Sequence, residues 1–340
     1  MRARAVICRA LSDDIGSVKL ETVQVPDPGP GQIRVRLKAC AVNFPDLLMI
    51  QGKYQHKPAL PFSPGGEAAG DIEACGSGVD GFREGDAVVL GIRHGGFAES
   101  VVVNVEQARP MPKGMSYAKA ASFQTAYLTA YVALHRRGAL ESGETLLVHG
   151  ATGGVGMAAV DLGKLWRAKV IATGGRDDKL AVVSARGADH VINYALPDGR
   201  LGGFRDQVKQ LTGGKGADVI YDPVGGDVFD ESMRCVNWGG RILTIGFTSG
   251  RWPQAPVNLI LIKQISVIGV RAGEYGRRDP VRGEENQRQL YALAEAGKID
   301  PWISHCMPLE HAVDAMRLLE GREVVGKAVV TMNGYSPSPG

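Results

Sequence analysis

Apolar positions in the first third of the chain come in short runs: AVIC (5–8), IRVRLKA (33–39), DAVVLGI (86–92) and FAESVVV (97–103). Gly- and Pro-rich stretches, PDPGPGQ (26–32) and GSGVDGFREGD (76–86), separate them. Strands with no helix between them predict a compact, largely antiparallel domain. The pattern then changes. AKAASFQTAYLTAYVALHRRGAL (118–140) is long and amphipathic and predicts a helix. Beyond it, apolar runs alternate with helical periodicity: TLLVHG (145–150), a helix over 155–167, KVIATG (169–174) and a helix over 177–186. HVIN (190–193), ADVIYDP (217–223), RILTIGF (241–247) and SVIGV (266–270) complete six runs. Continuous apolar runs joined by helical crossovers predict a doubly wound parallel sheet, hence an α/β chain.

RGEENQRQLYALAEAGK (282–298) and LEHAVDAMRLLEG (309–321) predict two more helices, and KAVVTM (327–332) a closing strand. This remainder is too short for a domain, so it is expected to complete the first one. The expected division is 1–122 with 271–340 against 123–270. The terminal SPSPG is expected to be a frayed tail.

The chain has 340 residues and a net charge of +3, with hydrophobic residues at 44% and charged ones at 22%. That balance offers no electrostatic case for nucleic acid as a partner. Five scattered cysteines, with no C-x-x-C pair, fit free thiols in a reducing compartment. The N-terminus reads as a strand and not a signal peptide, and no apolar stretch reaches the length of a membrane span. A soluble, cytoplasmic protein is expected.

HGATGGVGMAAV (149–160) follows a predicted strand and opens a predicted helix, the context of a dinucleotide fingerprint. Gly150, Gly153 and Gly156 are spaced three apart. They allow a tight turn and backbone approach to a pyrophosphate, while Gly154 and Val155 present N–H groups at the helix start. At the end of the next run, Thr173-Gly174-Gly175-Arg176 lacks the acid that bonds an NAD ribose. Arg176, with Lys179 one turn later, suits a 2′-phosphate, so NADPH is favoured over NADH. Asp177 and Asp178 are read as helix N-terminal residues.

Several motifs together carry a resemblance: AVNFPDLLMIQGKY (41–54), LPFSPGGEAAG (60–70), GFREGDAVV (81–89), GGFAE (95–99), TAYVAL (129–134) and the glycine loop. Along nearly its whole length the chain resembles the zinc-free quinone oxidoreductase (zeta-crystallin-like) branch of the medium-chain dehydrogenase/reductase superfamily. The resemblance implies a Rossmann domain inserted in a mainly β, GroES-like catalytic domain. It also implies a homodimer through the sixth strand, SVIGV. In zinc-dependent relatives a cysteine stands at the position of Asn43 and a histidine at that of Gly66. The four-cysteine structural zinc lobe is missing as well, since residues 85–103 contain no cysteine. Cys40 comes three residues too early and is expected to pack as a small apolar side chain. His56 and His94 have no companion at ligand spacing, so no metal site is expected.

Without a Lewis acid, hydride can still go to an acceptor that delocalises the charge, such as a quinone or an α,β-unsaturated carbonyl. The oxygen that collects the charge then needs hydrogen-bond donors. Asn43 and Tyr54 are the candidates by resemblance, Tyr54 either as proton donor or as pocket wall. Asp46 fits a capping contact at least as well as a substrate contact. The resemblance also places Thr129, Tyr194, Ile245, Gly246, Phe247, Val270 and Lys327 near the cofactor. The leading expectation is an NADPH-dependent quinone oxidoreductase. The alternatives are an NADPH-dependent 2-enoyl-thioester reductase, with Tyr54 protonating the α-carbon, and an NADPH-binding structural or regulatory protein with little turnover.

Overall fold

The computed structural model describes residues 1–337, so the last three residues of the SPSPG tail lie outside it. The chain divides into two units. One is Met1–Thr125 together with the chain from Asp300 onward; the other is Ala126–Ile299.

The first unit opens with an antiparallel pair, β1 (Arg2–Ile7) and β2 (Lys19–Gln24). Next come β3 (Gln32–Ala41), the short helix α1 (Phe44–Ile50), β4 (Glu67–Cys75), β5 (Ala87–Gly91), β6 (Ser100–Asn104) and β7 (Ala108–Pro110). Alternation decides β3: Ile33, Val35 and Leu37 are fully buried while Arg34 and Arg36 between them point to the opposite face, where both meet Glu73. β4 is made of small residues for a steric reason. A Cβ at Gly70 would come within 2.1 Å of the Arg36 carbonyl oxygen on β3.

Helix α2 (Tyr117–Tyr131) runs into a π-helical stretch, Val132–Arg137. The predicted helix over 118–140 therefore holds its direction but not its pitch, and the Gly138 N–H bonds back to Ala133. The second unit then alternates β8 (Thr145–Val148), α3 (Gly154–Leu165), β9 (Lys169–Gly174), α4 (Asp177–Ala185) and β10 (His190–Asn193). It continues through α5 (Arg205–Leu211), β11 (Ala217–Asp222), α6 (Gly226–Cys235), β12 (Val236–Thr244), α7 (Val257–Lys263) and β13 (Ser266–Gly269). All six strands are parallel, in the order β10-β9-β8-β11-β12-β13. The order reverses between β8 and β11, the position at which doubly wound sheets bind ligands. Leu146, Leu147, Val148, Val219 and Ile220 are fully buried, which is why these strands read as unbroken apolar runs.

Helices α8 (Ala272–Arg278) and α9 (Pro280–Glu295) also belong to this second unit, against the expectation that 271–299 would join the first. Two contacts explain it. Arg136, in the π-helical stretch, donates to Asn286 at 2.8 Å and pairs with Glu285 at 2.8 Å. At the crossing of α8 and α9, a Cβ at Gly283 would lie 2.8 Å from the Gly276 Cα, so the backbones nearly touch.

The return segment supplies β14 (Ile303–Pro308), α10 (Ala312–Glu320) and β15 (Lys327–Thr331). β15 pairs antiparallel with β3, giving the main sheet of the first unit the order β14-β15-β3-β4-β5-β7, with β6 also on β3. In this sheet, among the described residues, β14 and β15 form the one parallel pair. The fold is thus an α/β chain of a mainly β, GroES-like unit and a Rossmann unit.

Candidate functional site

The β15–β3 pairing brings Lys327, at the start of β15, to the end of β3, where Asn43 opens α1. The Lys327 Nζ donates to Asn43 Oδ1 at 2.7 Å and to Glu67 Oε1 at 2.9 Å. Asn43 Nδ2 donates to the same Glu67 oxygen at 3.2 Å, and the Thr125 backbone N–H takes the other at 2.7 Å. The amide orientation of Asn43 follows from the network: its oxygen faces the ammonium and its nitrogen the carboxylate. The Lys327 and Glu67 side chains are 6% and 1% exposed, so this charge pair is almost sealed from solvent.

Asp46 sits one turn into α1. Its Oδ2 accepts the Asn43 N–H at 2.8 Å, capping the helix, and its Oδ1 accepts the Gly65 N–H at 3.0 Å. Burial raises its carboxyl to about 7, against the pull of those two N–H groups and of Lys327. Asp46 therefore fixes the turn that carries Asn43, the capping role its position suggested. Tyr54 follows in the same segment, half-buried against the core of the first unit, its N–H on the Leu48 carbonyl.

Zinc relatives place ligands at the positions of Asn43 and Gly66, and the donor set found there does not fit a zinc ion. Asn43 offers an amide already bound to an ammonium, and a resident cation repels a second one. At Gly66 the obstacle is chemical, because a Cβ would meet only the Ile92 and Arg93 carbonyls at 3.5 and 3.8 Å. A Cβ has room there; the residue supplies no ligand atom. Cys40 is fully buried with its thiol pushed well up by burial, and it packs against Gly65 and Gly96 as a small apolar group. Among the described residues, no three His, Cys, Asp or Glu side chains converge as a metal site. His56 and His94, far apart in sequence, stack in space with ring centroids 5.7 Å apart.

In the second unit the parallel sheet gathers most of the expected cofactor residues at the C-terminal ends of its strands. Gly150 follows β8 with φ +55°, and a Cβ at Gly156 would lie 2.3 Å from its carbonyl oxygen. A Cβ at Gly153 would meet only that same oxygen at 3.5 Å, so Gly153 leaves open space above the loop. Gly154 and Val155 start α3 with free-pointing N–H groups. Gly174 ends β9, and the Tyr194 N–H bonds to its carbonyl at 3.0 Å. Ile245 to Phe247 follow β12, with the Ile245 N–H on the Asp222 carbonyl; Val270 follows β13, and its N–H reaches the carbonyl of Thr244, the last residue of β12. Phe247 is 41% exposed, so it is not a core residue.

Two expected phosphate partners stand differently. Arg176 pairs with Asp178 at 2.7 Å, both half exposed, while Lys179 is a buried side chain and not a surface cation. Thr129 lies half-buried on α2.

Three polar groups escaped sequence reading. Glu67 lies inside a motif whose glycines drew the attention, Asp222 ends a run read only as an apolar strand, and His149 opens the glycine loop. Asp222 Oδ1 accepts the N–H groups of Val224 and Gly225 at 2.8 and 2.9 Å, while Oδ2 is buried without a partner. Burial raises this carboxyl to about 6. His149 is fully buried between Thr173 Oγ1 and Ser232 Oγ, each at 2.8 Å, and burial lowers its pKa to about 3. Ser232 spends its hydroxyl hydrogen on the Val228 carbonyl, so the network assigns the ring proton to Nε2.

Comparison with known proteins agrees with this architecture. Residues 29–113 match the alcohol dehydrogenase GroES-like domain, and residues 154–284 match the zinc-binding dehydrogenase family. The chain is 37% identical to the quinone oxidoreductase-like protein 2 homolog of Nematostella vectensis, covering 96% of this chain and 88% of that one. A probable oxidoreductase from Mycobacterium abscessus superposes with a TM-score of 0.87 at 34% identity, over 97% of this chain and 99% of that one. A mycobacterial protein solved in complex with NADPH superposes with a TM-score of 0.86 at 27% identity, over 96% and 99%. The chain belongs to the quinone oxidoreductase-like branch of the medium-chain dehydrogenase/reductase superfamily.

Proposed function

We propose that the protein is an NADPH-dependent quinone oxidoreductase that works without a metal, reducing a quinone or a related conjugated carbonyl. The observation that carries the reading is the Lys327–Glu67–Asn43 cluster: an ammonium held by two oxygens stands where zinc relatives assemble metal ligands. NADPH, when bound, supplies the hydride. The chain's part is to position, to donate hydrogen bonds and to exclude water.

Asn43 is held on three sides, by Lys327, by Glu67 and through its backbone by Asp46, so its orientation toward a ligand is fixed before binding. Tyr54 offers a phenol from the adjoining loop, as proton donor or as wall. For the cofactor, the reading assigns the pyrophosphate to the Gly150–Gly156 loop and the α3 N-terminus, and the 2′-phosphate to Arg176. Arg176 would then exchange Asp178 for the phosphate. The absence of an acid at Thr173–Gly175 supports NADPH over NADH.

A homodimer through β13 is part of the reading. That strand ends the sheet order, and α7 beside it exposes Val257, Leu261 and Ile262 at 76%, 78% and 69%.

Purified protein assayed for NADPH oxidation against matched quinones and enoyl thioesters tests the proposal. Turnover on quinones supports it. Turnover on thioesters alone would move the function to enoyl reduction, and NADPH binding without turnover on any acceptor would favour a regulatory protein.

A further inference from the structure

Gly65 has φ +97°, and a Cβ there would come within 2.7 Å of the Phe97 backbone nitrogen and 2.8 Å of the Cys40 thiol. Only glycine holds such a turn. The turn is tied from its other side as well, since the Gly96 N–H donates to the Gly65 carbonyl at 3.0 Å. Its own N–H therefore points at one fixed place, where Asp46 Oδ1 stands. The other Asp46 oxygen takes the N–H of Asn43. One carboxyl thus joins two turns that are far apart in sequence. The first carries Asn43, and the second leads through Gly66 into Glu67, the two residues that Lys327 holds.

Two demands on that carboxyl conflict. Asp46 is 1% exposed, and burial favours the uncharged acid. Two backbone donors favour the anion, because an acid keeps one good acceptor oxygen and must find a partner for its own proton. The charged and titratable groups facing it are divided too. Lys327, from β15, favours the anion, whereas Glu67, on β4, opposes it. The Cys40 thiol, on β3, is kept uncharged by its own burial. The balance sets the carboxyl at about 7. We propose that Asp46 is a positioning residue whose charge regulates the site: as a carboxylate it clamps the Asn43 turn to the Gly65 turn, and as an acid it releases one of them. With one turn released, the backbones that carry Asn43 and Glu67 are no longer braced together, and a ligand is held less well for hydride transfer. Reduction is then fastest above the titration and slows as the pH falls through it. This regulation rests on the reading of the protein as a reductase whose Asn43 orients the ligand.

The test is kcat between about pH 5.5 and 8.5, with NADPH and a simple quinone both saturating. The rate is expected to fall by ~10-fold toward the acid end, with a midpoint of about 7. Asp46→Asn, neutral at every pH, is expected to remove that limb and to leave kcat near the acid-side level of wild type. A limb retained in Asp46→Asn, or a flat wild-type profile, overturns the proposal. The backbone amide resonances of Asn43 and Gly65 in NADPH-loaded wild type give a second reading that needs neither the variant nor an acceptor. Both N–H groups donate to this carboxyl, so both resonances are expected to shift together over the same pH range. Resonances that stay unmoved overturn the clamp, even if Asp46→Asn does not fold. If no acceptor is reduced at all, the reductase reading fails on its own, and these two resonances still decide whether Asp46 titrates between the turns.

Discussion

Lys327 and Glu67 meet at 2.9 Å across 260 residues of sequence, the ammonium on one carboxylate oxygen and the Thr125 N–H on the other. Both charges have left water, so neither tolerates losing its partner. Glu67→Ala or Lys327→Met alone is expected to cost about 3–5 kcal/mol of stability, while the double variant costs much less than the sum. Denaturant unfolding of the four proteins measures this. Additive losses would mean that the pair is not energetically coupled.

The glycine loop separates two uses of glycine. A methyl at Gly156 would strike the Gly150 carbonyl at 2.3 Å, so Gly156→Ala is expected to lower stability by ~1–3 kcal/mol. A methyl at Gly153 makes only ordinary contact, at a φ of −87° open to any residue. Gly153→Ala is expected to fold with stability within ~0.5 kcal/mol of the parent, yet to weaken NADPH ~10-fold or more where the pyrophosphate must approach. Thermal unfolding with NADPH titration reads both quantities. Equal affinity in Gly153→Ala would place the pyrophosphate elsewhere.

Arg176 is engaged with Asp178 in the free protein. Arg176→Ala is expected to weaken NADPH by ~10-fold or more and NADH by less than ~2-fold, because only the former carries a 2′-phosphate. Asp178→Asn, by removing the carboxylate charge that competes for Arg176, is expected to tighten NADPH. Equal losses for the two cofactors in Arg176→Ala would remove the phosphate assignment.

His149 gives a pH dependence of definite sign. Its folded pKa, about 3, is depressed from an unfolded value near 6.5, so between those values the unfolded chain binds the extra proton. The contribution is fully present above about 6.5 and is lost as the pH falls toward 3. Asp46 and Asp222, raised to about 7 and about 6, act in the opposite sense, losing stability as the pH rises from near 4. These carboxyls are common to wild type and His149→Gln, so they cancel in the difference. Melting temperatures from pH 4 to 7 are expected to fall more steeply on acidification in wild type than in His149→Gln. Parallel profiles would contradict a neutral, buried His149.

Much of the architecture was legible because burial on both faces leaves unbroken apolar runs: TLLV, KVIAT, HVIN, DVIYD, RILT and SVIG all became neighbours in one sheet. β4 was not legible. EAAGDIEAC is written in small residues because its backbone must crowd β3 at Gly70, and small residues carry little periodic signal. The short helices α1, α7 and α8, at seven residues each, are below the length at which periodicity speaks. Of the candidate cluster, the sequence singled out Asn43 and Lys327 but neither Glu67 nor the assembly. Asn43 and Lys327 were each expected near the cofactor, whereas their joining through Glu67 depends on β15 closing on β3. The His56–His94 stack depends in the same way on two loops meeting, which no spacing encodes.

Tyr54 separates two chemistries. If it protonates carbon, Tyr54→Phe should slow an enone or enoyl thioester by ~10²-fold or more. Quinone turnover should change little, because reduced quinone oxygens take protons from water. Unchanged turnover on every acceptor would make Tyr54 a wall.

The measurement that bears most directly on the account is the initial rate of NADPH oxidation with a simple quinone, by protein dialysed against a strong chelator and by the same protein resupplied with zinc. The account expects turnover that survives chelation and gains nothing from zinc, with Asn43, held by Lys327 and Glu67, standing where zinc relatives have a metal ligand. Turnover that disappears on chelation and returns with zinc would contradict it.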